Sequence, residues 1–275
     1  MNNSPSGALS SAVAASPTCA ATSAIELQKI SVRRGGREIL RRVDADLQYG
    51  AVTGIVGPNG AGKSTMLAVM SGDIRPSLGT VRLKGADLST LSSLQIARQR
   101  AVMVQQQRTG FAFTVAETLS MARTPWRGTP RQQDDAAAIE RAVMITELEP
   151  LLHQEMPSLS GGEAQRAALA RTVAQDTDIL LLDEPIAAMD VRFQELTMKM
   201  VRQRADHGAA ICVVLHDLTV AAAYCDRLIV VADGHIAVEG PTDEVLQPRL
   251  LTEVYQVPIE VVRHGGRTFV APVRA

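Results

Sequence analysis

The order of apolar and polar residues divides the chain into strand-like and helix-like stretches. Near the N-terminus, IELQKISV (25–32) and EILRRVDADL (38–47) alternate between apolar and polar residues, as strands with one buried face do. They flank Gly35-Gly36, which indicates a turn, so we predict an antiparallel hairpin. TVRLKG (80–85) is a further predicted strand. Together these stretches predict an antiparallel β layer.

A second group of stretches is apolar without alternation. They are AVTGIVG (51–57), DILLLDEP (178–185), AAICVVLHD (209–217) and RLIVVAD (227–233). Strands that are apolar on both faces lie inside a parallel sheet covered by helices. VRFQELTMKMVRQRADHG (191–208) has the length of a crossover helix between two such strands. The pattern therefore predicts an α/β fold with a parallel core sheet.

The remaining stretches complete the predicted domain organisation. Residues 106–172 are rich in Ala, Gln, Glu and Arg, and we predict a helical subdomain inserted into a domain that spans residues 25–250. Residues 251–275 form a predicted C-terminal extension, ending in a hairpin that turns at two glycines. Residues 1–24 are rich in Ala and Ser and contain no Lys or Arg, so we interpret them as a flexible tail and not a signal peptide.

Composition excludes several classes of function. The 275 residues include 28 Lys and Arg against 29 Asp and Glu, and aromatic residues make up 3%. A near-neutral, aromatic-poor chain has neither the charge nor the stacking surface of a nucleic-acid binder. No apolar run approaches the roughly 18 residues of a membrane span. The three cysteines are an odd number without paired spacing, which argues against a disulfide framework.

The segment GPNGAGKST (57–65) matches the phosphate-loop pattern G-x-x-x-x-G-K-[ST]. An apolar strand precedes it and the helix-permissive KSTMLAVM follows, so loop amides and a helix N-terminus would face a phosphate. Lys63 would reach the β- and γ-phosphates, and the Ser64 hydroxyl would bind Mg²⁺. The candidate ATP-binding residues are Gly57, Pro58, Asn59, Gly60, Ala61, Gly62, Lys63, Ser64 and Thr65.

Two carboxylates follow the apolar run ILLL at the C-terminal end of a predicted strand. Ligands of open parallel sheets bind at that end of the strands. Asp183 is placed to hold Mg²⁺ with its hydration shell, and Glu184 is placed to orient and polarise the attacking water. With the phosphate loop, the pair predicts a nucleotide hydrolase.

The segment LSGGEAQRAALAR (159–171), just before the acidic strand, resembles the signature motif of ATP-binding-cassette (ABC) ATPases. The resemblance covers about residues 25–250 and implies a P-loop NTPase cassette in which two copies sandwich two ATP molecules head to tail. It implies that Ser160, Gly161, Gly162 and Glu163 contact the ATP held by the second copy.

Three more residues take roles from the same resemblance. Gln105, in AVMVQQQ, matches the glutamine that contacts Mg²⁺ and the water. Two more glutamines follow it, so the match is defined to within about one residue. Asp190 matches the aspartate at the dimer seam, and His216 matches the histidine near the γ-phosphate. The implied catalytic residues are thus Glu184, His216 and Gln105, and the implied Mg²⁺ contacts are Ser64, Gln105 and Asp183.

The chain departs from the family where an aromatic residue often stacks on adenine. Arg33 and Arg34 occupy that place. A guanidinium plane can stack on a base. The alternative, which we favour, is that both are solvated surface charges.

The resemblance also favours one kind of cassette. A lone cassette without a membrane span resembles subunits that dock on separate permease subunits, peripheral to the cytoplasmic face of the cell membrane. GFAFTVAETLSMARTPWRGTP (110–130) resembles cassettes that import iron chelates, cobalamin and haem, and the tail (250–274) resembles those of hemin importers. We therefore expect the energy-coupling ATPase of a hemin importer, served by an extracytoplasmic substrate-binding protein. The alternatives are a ferric-siderophore or cobalamin importer, or a soluble ABC ATPase acting on ribosomes or DNA.

Overall fold

The computed structural model describes residues 23–104 and 112–274. Its strands are β1 (Ser23–Arg34), β2 (Arg37–Gln48), β3 (Val52–Val56), β4 (Leu78–Leu83), β5 (Ala86–Asp87), β6 (Arg100–Met103), β7 (Ile179–Asp183), β8 (Ala210–Val214), β9 (Arg227–Ala232), β10 (His235–Pro241), β11 (Ile259–His264) and β12 (Arg267–Pro272). Its α-helices are α1 (Lys63–Ser71), α2 (Ser93–Ala97), α3 (Val115–Ala122), α4 (Asp135–Thr146), α5 (Gly161–Ala174), α6 (Val191–Asp206), α7 (Leu218–Tyr224), α8 (Thr242–Val245) and α9 (Pro248–Tyr255).

The central sheet has six strands in the order β10-β9-β3-β8-β7-β6, and all but the edge strand β10 are parallel. Strands β3, β7 and β8 are buried along their whole length. In β7, Leu180 and Leu182 belong to one apolar cluster, whereas Ile179 and Leu181 belong to the cluster on the opposite face. Both faces are covered, as the unbroken apolar runs predicted, and the α/β fold with a parallel core sheet is confirmed.

A second sheet, in the order β2-β1-β4-β5, is antiparallel throughout. Its apolar side chains share a cluster with Met66, Leu67 and Met70 of α1. Helix α1 therefore lies between the two sheets, which fixes the position of the loop that precedes it. The predicted N-terminal antiparallel layer is confirmed.

The described residues between β6 and β7 are mainly helical, as predicted. Helices α3, α4 and α5 lie here, joined by short 3₁₀ turns. Helices α3 and α5 each begin with a capping box, formed by Thr114 with Glu117 and by Ser160 with Glu163. Helix α5 continues to Ala174, two positions past the end of the predicted subdomain. The domain boundaries themselves stay predictions.

The C-terminal hairpin pairs β11 with β12 and turns at Gly265 and Gly266, as predicted. It is joined to α7, because the Val270 amide donates a hydrogen bond to Thr219 Oγ1 at 3.1 Å. Within the described residues, no helix is long and apolar enough to cross a membrane.

Candidate functional site

The phosphate loop leaves β3 at Gly57 and enters α1 at Lys63. Gly57 has a φ of +143°, and a Cβ there would lie 2.0 Å from the carbonyl oxygen of Val231. Gly62 has a φ of +108°, and its Cβ would lie 2.9 Å from Leu40 Cδ2. Both positions require glycine, because the backbone is left-handed and a neighbour occupies the space of a side chain.

The Lys63 ammonium is hydrogen-bonded to the backbone of this loop. Its Nζ donates hydrogen bonds to the carbonyl oxygens of Gly57 at 2.8 Å and Pro58 at 2.9 Å. Burial lowers the pKa of Lys63, and the carboxylates of Glu184 and Asp183 act in the opposite direction. A buried cation held mainly by carbonyls is a strong partner for an anion such as a phosphate.

The Ser64 hydroxyl and the Asp183 carboxylate form a pair at the end of β7. Ser64 Oγ donates to Asp183 Oδ1 at 3.2 Å. Burial raises the pKa of Asp183 and the charge of Glu184 adds to this, whereas the Ser64 hydrogen bond and the Lys63 charge oppose it. The described residues contain no group of three or more His, Cys, Asp or Glu that could hold a metal. Two hard oxygen ligands fit Mg²⁺, which takes its other ligands from water and substrate phosphates.

Glu184 and His216 are in contact with each other in the wall of one cavity. Glu184 Oε1 is in hydrogen-bond contact with Nε2 of His216, which follows β8 and is about half exposed. The cavity has a volume of about 680 Å³, which is within the usual range for small-molecule sites. Its lining residues are Ile39, Asn59, Gly60, Gly62, Lys63, Ser64, Thr65, Glu184 and His216.

The signature residues do not line this cavity. Ser160 caps α5, and both its hydroxyl and its amide donate to Glu163 Oε2, at 2.7 and 2.8 Å. These hydrogen bonds lower the pKa of Glu163. Asp190 caps α6 by accepting a hydrogen bond from the Phe193 amide at 2.9 Å, and it is exposed. The structure thus leaves Ser160, Gly161 and Asp190 on the surface, outside the cavity.

Three further points concern the residues predicted from sequence. Gln105 lies outside the described residues. Arg33 and Arg34 are exposed, and Arg34 borders a smaller cavity of about 240 Å³ together with Ser64 and Asp183. The sequence analysis missed Ile39, because alternation along β2 does not reveal that this residue faces the phosphate loop.

The sequence analysis also missed Gln165 on α5. Its Nε2 donates to the backbone carbonyl of Glu184 at 2.6 Å. The motif that contains Gln165 pointed only to its neighbours, and a carbonyl acceptor leaves no trace in a sequence.

Comparisons with known proteins identify the family of the chain. The family described as ABC transporter matches residues 40–187. The hemin import ATP-binding protein HmuV of Rhodococcus jostii is 48% identical over 247 residues, which cover 89% of this chain and 85% of that protein. HmuV of Nocardia farcinica is 46% identical over 267 residues, covering 94% and 93%.

A solved dimeric structure of a bacterial ABC transporter cassette has the same fold. It matches with a TM-score of 0.72 and 27% identity, covering 79% of this chain and 98% of that one. From the family match and these relatives, the chain belongs to the ABC transporter family, as one of its ATP-hydrolysing cassettes.

Proposed function

We propose that this chain is the ATP-hydrolysing, energy-coupling subunit of an importer for hemin. One observation supports ATP hydrolysis. A single cavity is lined by Lys63, Ser64, Glu184 and His216, and Ser64 is hydrogen-bonded to Asp183. The cargo is supported by the relatives, since two hemin import ATP-binding proteins are 48% and 46% identical to this chain.

The phosphate loop and Lys63 bind the nucleotide in this proposal. Residues Gly57 to Thr65 supply amide donors and the N-terminus of α1, and Lys63 supplies the countercharge for the phosphates. Ser64 and Asp183 would hold Mg²⁺, with Gln105 as a further contact. The ion would supply positive charge beside the phosphate oxygens.

Glu184 acts on the attacking water. Its carboxylate orients the water and accepts its proton, while the water oxygen attacks the γ-phosphorus and the bond to the bridging oxygen breaks. The contact with His216 Nε2 holds the carboxylate at the cavity wall. Water activation thus needs both the end of β7 and the end of β8.

A second copy of the chain completes the site. Ser160, Gly161, Gly162 and Glu163 lie outside the cavity of their own chain and at the exposed N-terminus of a 14-residue helix. Such a terminus favours an anion. We therefore assign these four residues to the binding of the ATP held by the partner copy, and we place Asp190 at the interface between the two copies. A bacterial cassette with 27% identity forms a dimer, which supports this assembly.

The importer around this dimer has further subunits. We assign residues 25–250 to the cassette, including the helical subdomain at 106–172, with 1–24 as a tail and 251–275 as an extension. The dimer docks on transmembrane permease subunits at the cytoplasmic face of the membrane, and an extracytoplasmic binding protein delivers the cargo. ATP-driven closure of the dimer would shift the permease through differential binding.

Reconstitution into liposomes tests this function. The chain is combined with candidate permeases, and ATP-dependent uptake of hemin, a ferric siderophore and cobalamin is compared. We expect uptake of hemin, and its loss in Glu184→Gln. Uptake of the siderophore or cobalamin instead would overturn the cargo but keep the ATPase. Failure to bind any permease, with co-sedimentation on ribosomes, would favour a soluble ATPase.

A further inference from the structure

The segment from Glu184 to Asp190, called here the 184–190 segment, is held by glutamine amides from two helices. Gln165 Nε2 on α5 donates to the Glu184 carbonyl at 2.6 Å. Gln194 Nε2 on α6 donates to the Met189 carbonyl at 3.0 Å, at the other end of the segment. Gln194 Nε2 also donates to the Ile186 carbonyl, at 3.4 Å. The Gln165 amide thus holds the Glu184 carbonyl, whereas the Gln194 amide holds carbonyls further along the segment.

The start of the segment has an unusual backbone. Glu184 has a φ of +51°, a value that non-glycine residues adopt rarely, and Pro185 restricts it further. Such a conformation persists only where its surroundings hold it. The Glu184 amide donates to Val214 O at 3.3 Å, and its carbonyl accepts from Ala187 N at 3.3 Å and from Gln165 at 2.6 Å. The Gln165 contact is the shortest of the three and comes from α5, which lies outside the segment.

We propose that Gln165 is a positioning residue for ATP hydrolysis. Its amide fixes the peptide plane that follows Glu184, and this plane sets the direction in which the Glu184 carboxylate leaves the backbone, toward His216 and the cavity. Gln165 does not line the cavity, so it acts through Glu184. The proposal rests on the proposed function, in which Glu184 activates water.

Helix α5 is well placed for this role. Its first turn packs against the 184–190 segment, since a Cβ on Gly162 would lie 3.1 Å from the Ala188 carbonyl oxygen. Arg166, which follows Gln165, lies over the Phe193 ring of α6, 4.2 Å from its centroid. Gln165 therefore sits between the Ser160 end of α5 and Glu184, so a displacement of α5 would reach the Glu184 carbonyl directly.

The test compares steady-state ATPase kinetics of full-length variants. Gln165→Met keeps the side-chain length and removes the donor. We expect kcat to fall about tenfold, because small misplacements of a catalytic group are costly. The KM and the affinity for a fluorescent ATP analogue should change less than about twofold, since no group that contacts nucleotide is lost. Gln165→Lys, which retains a donor, should recover much of the loss.

Gln194→Met is the matched control, because it removes a glutamine donor from the same segment, at Ile186 and Met189, and leaves the bond to the Glu184 carbonyl in place. Its kcat should stay within about twofold of the unmodified chain. An equal fall in both variants, or an unchanged kcat in Gln165→Met, would overturn the proposal. If Gln165→Met does not fold, Gln165→Glu replaces it. A carboxylate cannot donate to the Glu184 carbonyl, so the kcat of Gln165→Glu should fall at least as far. An unchanged kcat in Gln165→Glu would again overturn it.

A double variant separates positioning from general packing. Adding Gln165→Met to Glu184→Gln should cause no further loss, because the positioned carboxylate is already gone. A second loss of about tenfold would show that Gln165 acts elsewhere. Normal turnover in Glu184→Gln alone would refute the role of Glu184 in the proposed function. Slow turnover there with normal turnover in Gln165→Met would refute only the role of Gln165.

Discussion

The Ser64 hydroxyl donates a hydrogen bond to the Asp183 carboxylate at 3.2 Å, although 119 positions separate the two residues in sequence. Ser64 lies in the first turn of α1, and Asp183 ends β7. Strand β8 lies between β3, which leads to α1, and β7. The contact therefore joins the start of α1 to the C-terminal end of β7 and sets a hydroxyl and a carboxylate side by side.

Asp183→Asn should weaken Mg²⁺-dependent nucleotide binding. The substitution keeps the shape of the side chain but replaces a charged carboxylate by a neutral amide, which is a weaker ligand for Mg²⁺. We expect a loss of about 10- to 100-fold in Mg²⁺-dependent affinity for ATP, measured by titration of a fluorescent analogue. The same titration in EDTA is the control, and there the two proteins should agree. A loss of equal size in EDTA would contradict the assignment.

The same substitution should stabilise the nucleotide-free protein at neutral pH. Burial raises the pKa of Asp183, so between the ordinary pKa and the raised one the folded state binds more protons than the unfolded state. Stability therefore falls as pH rises through this window, and the cost is fully present above the raised pKa. The Tm of Asp183→Asn should exceed that of the unmodified chain at pH ~7, and the difference should vanish below pH ~4. A lower Tm at neutral pH would contradict this.

Lys63→Ala should abolish tight ATP binding. The ammonium is the cation that the loop surrounds, and its removal leaves the phosphates without their countercharge. We expect affinity to fall by about a hundredfold, as for loss of a charged hydrogen bond. Lys84→Ala is the control, because that ammonium pairs with Asp178 at 2.8 Å and does not line the cavity. Tight binding by Lys63→Ala would exclude the phosphate-loop role.

Glu184→Gln should slow hydrolysis by about 10²- to 10⁴-fold while leaving ATP binding intact. An amide can occupy the same place but cannot accept the proton. ATP should then hold two copies together, so light scattering should show a dimer with ATP and a monomer without it. Glu260→Gln on the exposed face of the C-terminal hairpin is the control. Wild-type turnover in Glu184→Gln would remove its assigned role.

The parts of the site that were predicted from sequence depend on neighbouring residues. The loop at 57–65 is a continuous segment, so its glycines, Lys63 and Ser64 stand at fixed spacing. Asp183 was predicted because an unbroken apolar run ends there. In both cases the residues that carry the prediction are adjacent in the sequence.

Other contacts could not be predicted, because they join distant elements. Gln165 and the Glu184 carbonyl are 19 positions apart, and no periodicity links a helix amide to a loop carbonyl. Arg123 is 2% exposed, although arginines usually lie on surfaces. It is buried because acceptors from several elements converge on it, which only the folded chain brings about.

Arg123→Met should be strongly destabilising. The guanidinium donates to Asp135 at 2.7 Å and to the carbonyls of Ala174 and Gln175 at 3.0 and 3.1 Å. Removing the guanidinium leaves the buried acceptors around it with fewer donors, which costs about 1–3 kcal/mol for each group left unsatisfied. Urea unfolding measures this loss. Arg141→Met is the control, since that exposed guanidinium is 3.7 Å from Asp176 and should contribute less than about 1 kcal/mol. Equal midpoints for the two variants would contradict the prediction.

Thr53→Val should stabilise the chain. Thr53 is buried in β3, and within the described residues its Oγ1 has no hydrogen-bond partner. Valine has nearly the same shape, so the substitution removes a desolvated hydroxyl without leaving a cavity, a gain of about 1 kcal/mol. Thermal unfolding should show a Tm about 2–4 °C higher.

The control is Thr146→Val, on α4. Thr146 is also buried, but its Oγ1 donates to the Ala142 carbonyl at 2.7 Å, so the same replacement should lower the Tm. The two variants lose the same hydroxyl and differ in whether it had a partner. If both shift the Tm in the same direction, the unpaired hydroxyl of Thr53 is not the cause of the effect. ATP turnover should be unchanged in Thr53→Val, because Thr53 lies in the sheet and does not line the cavity.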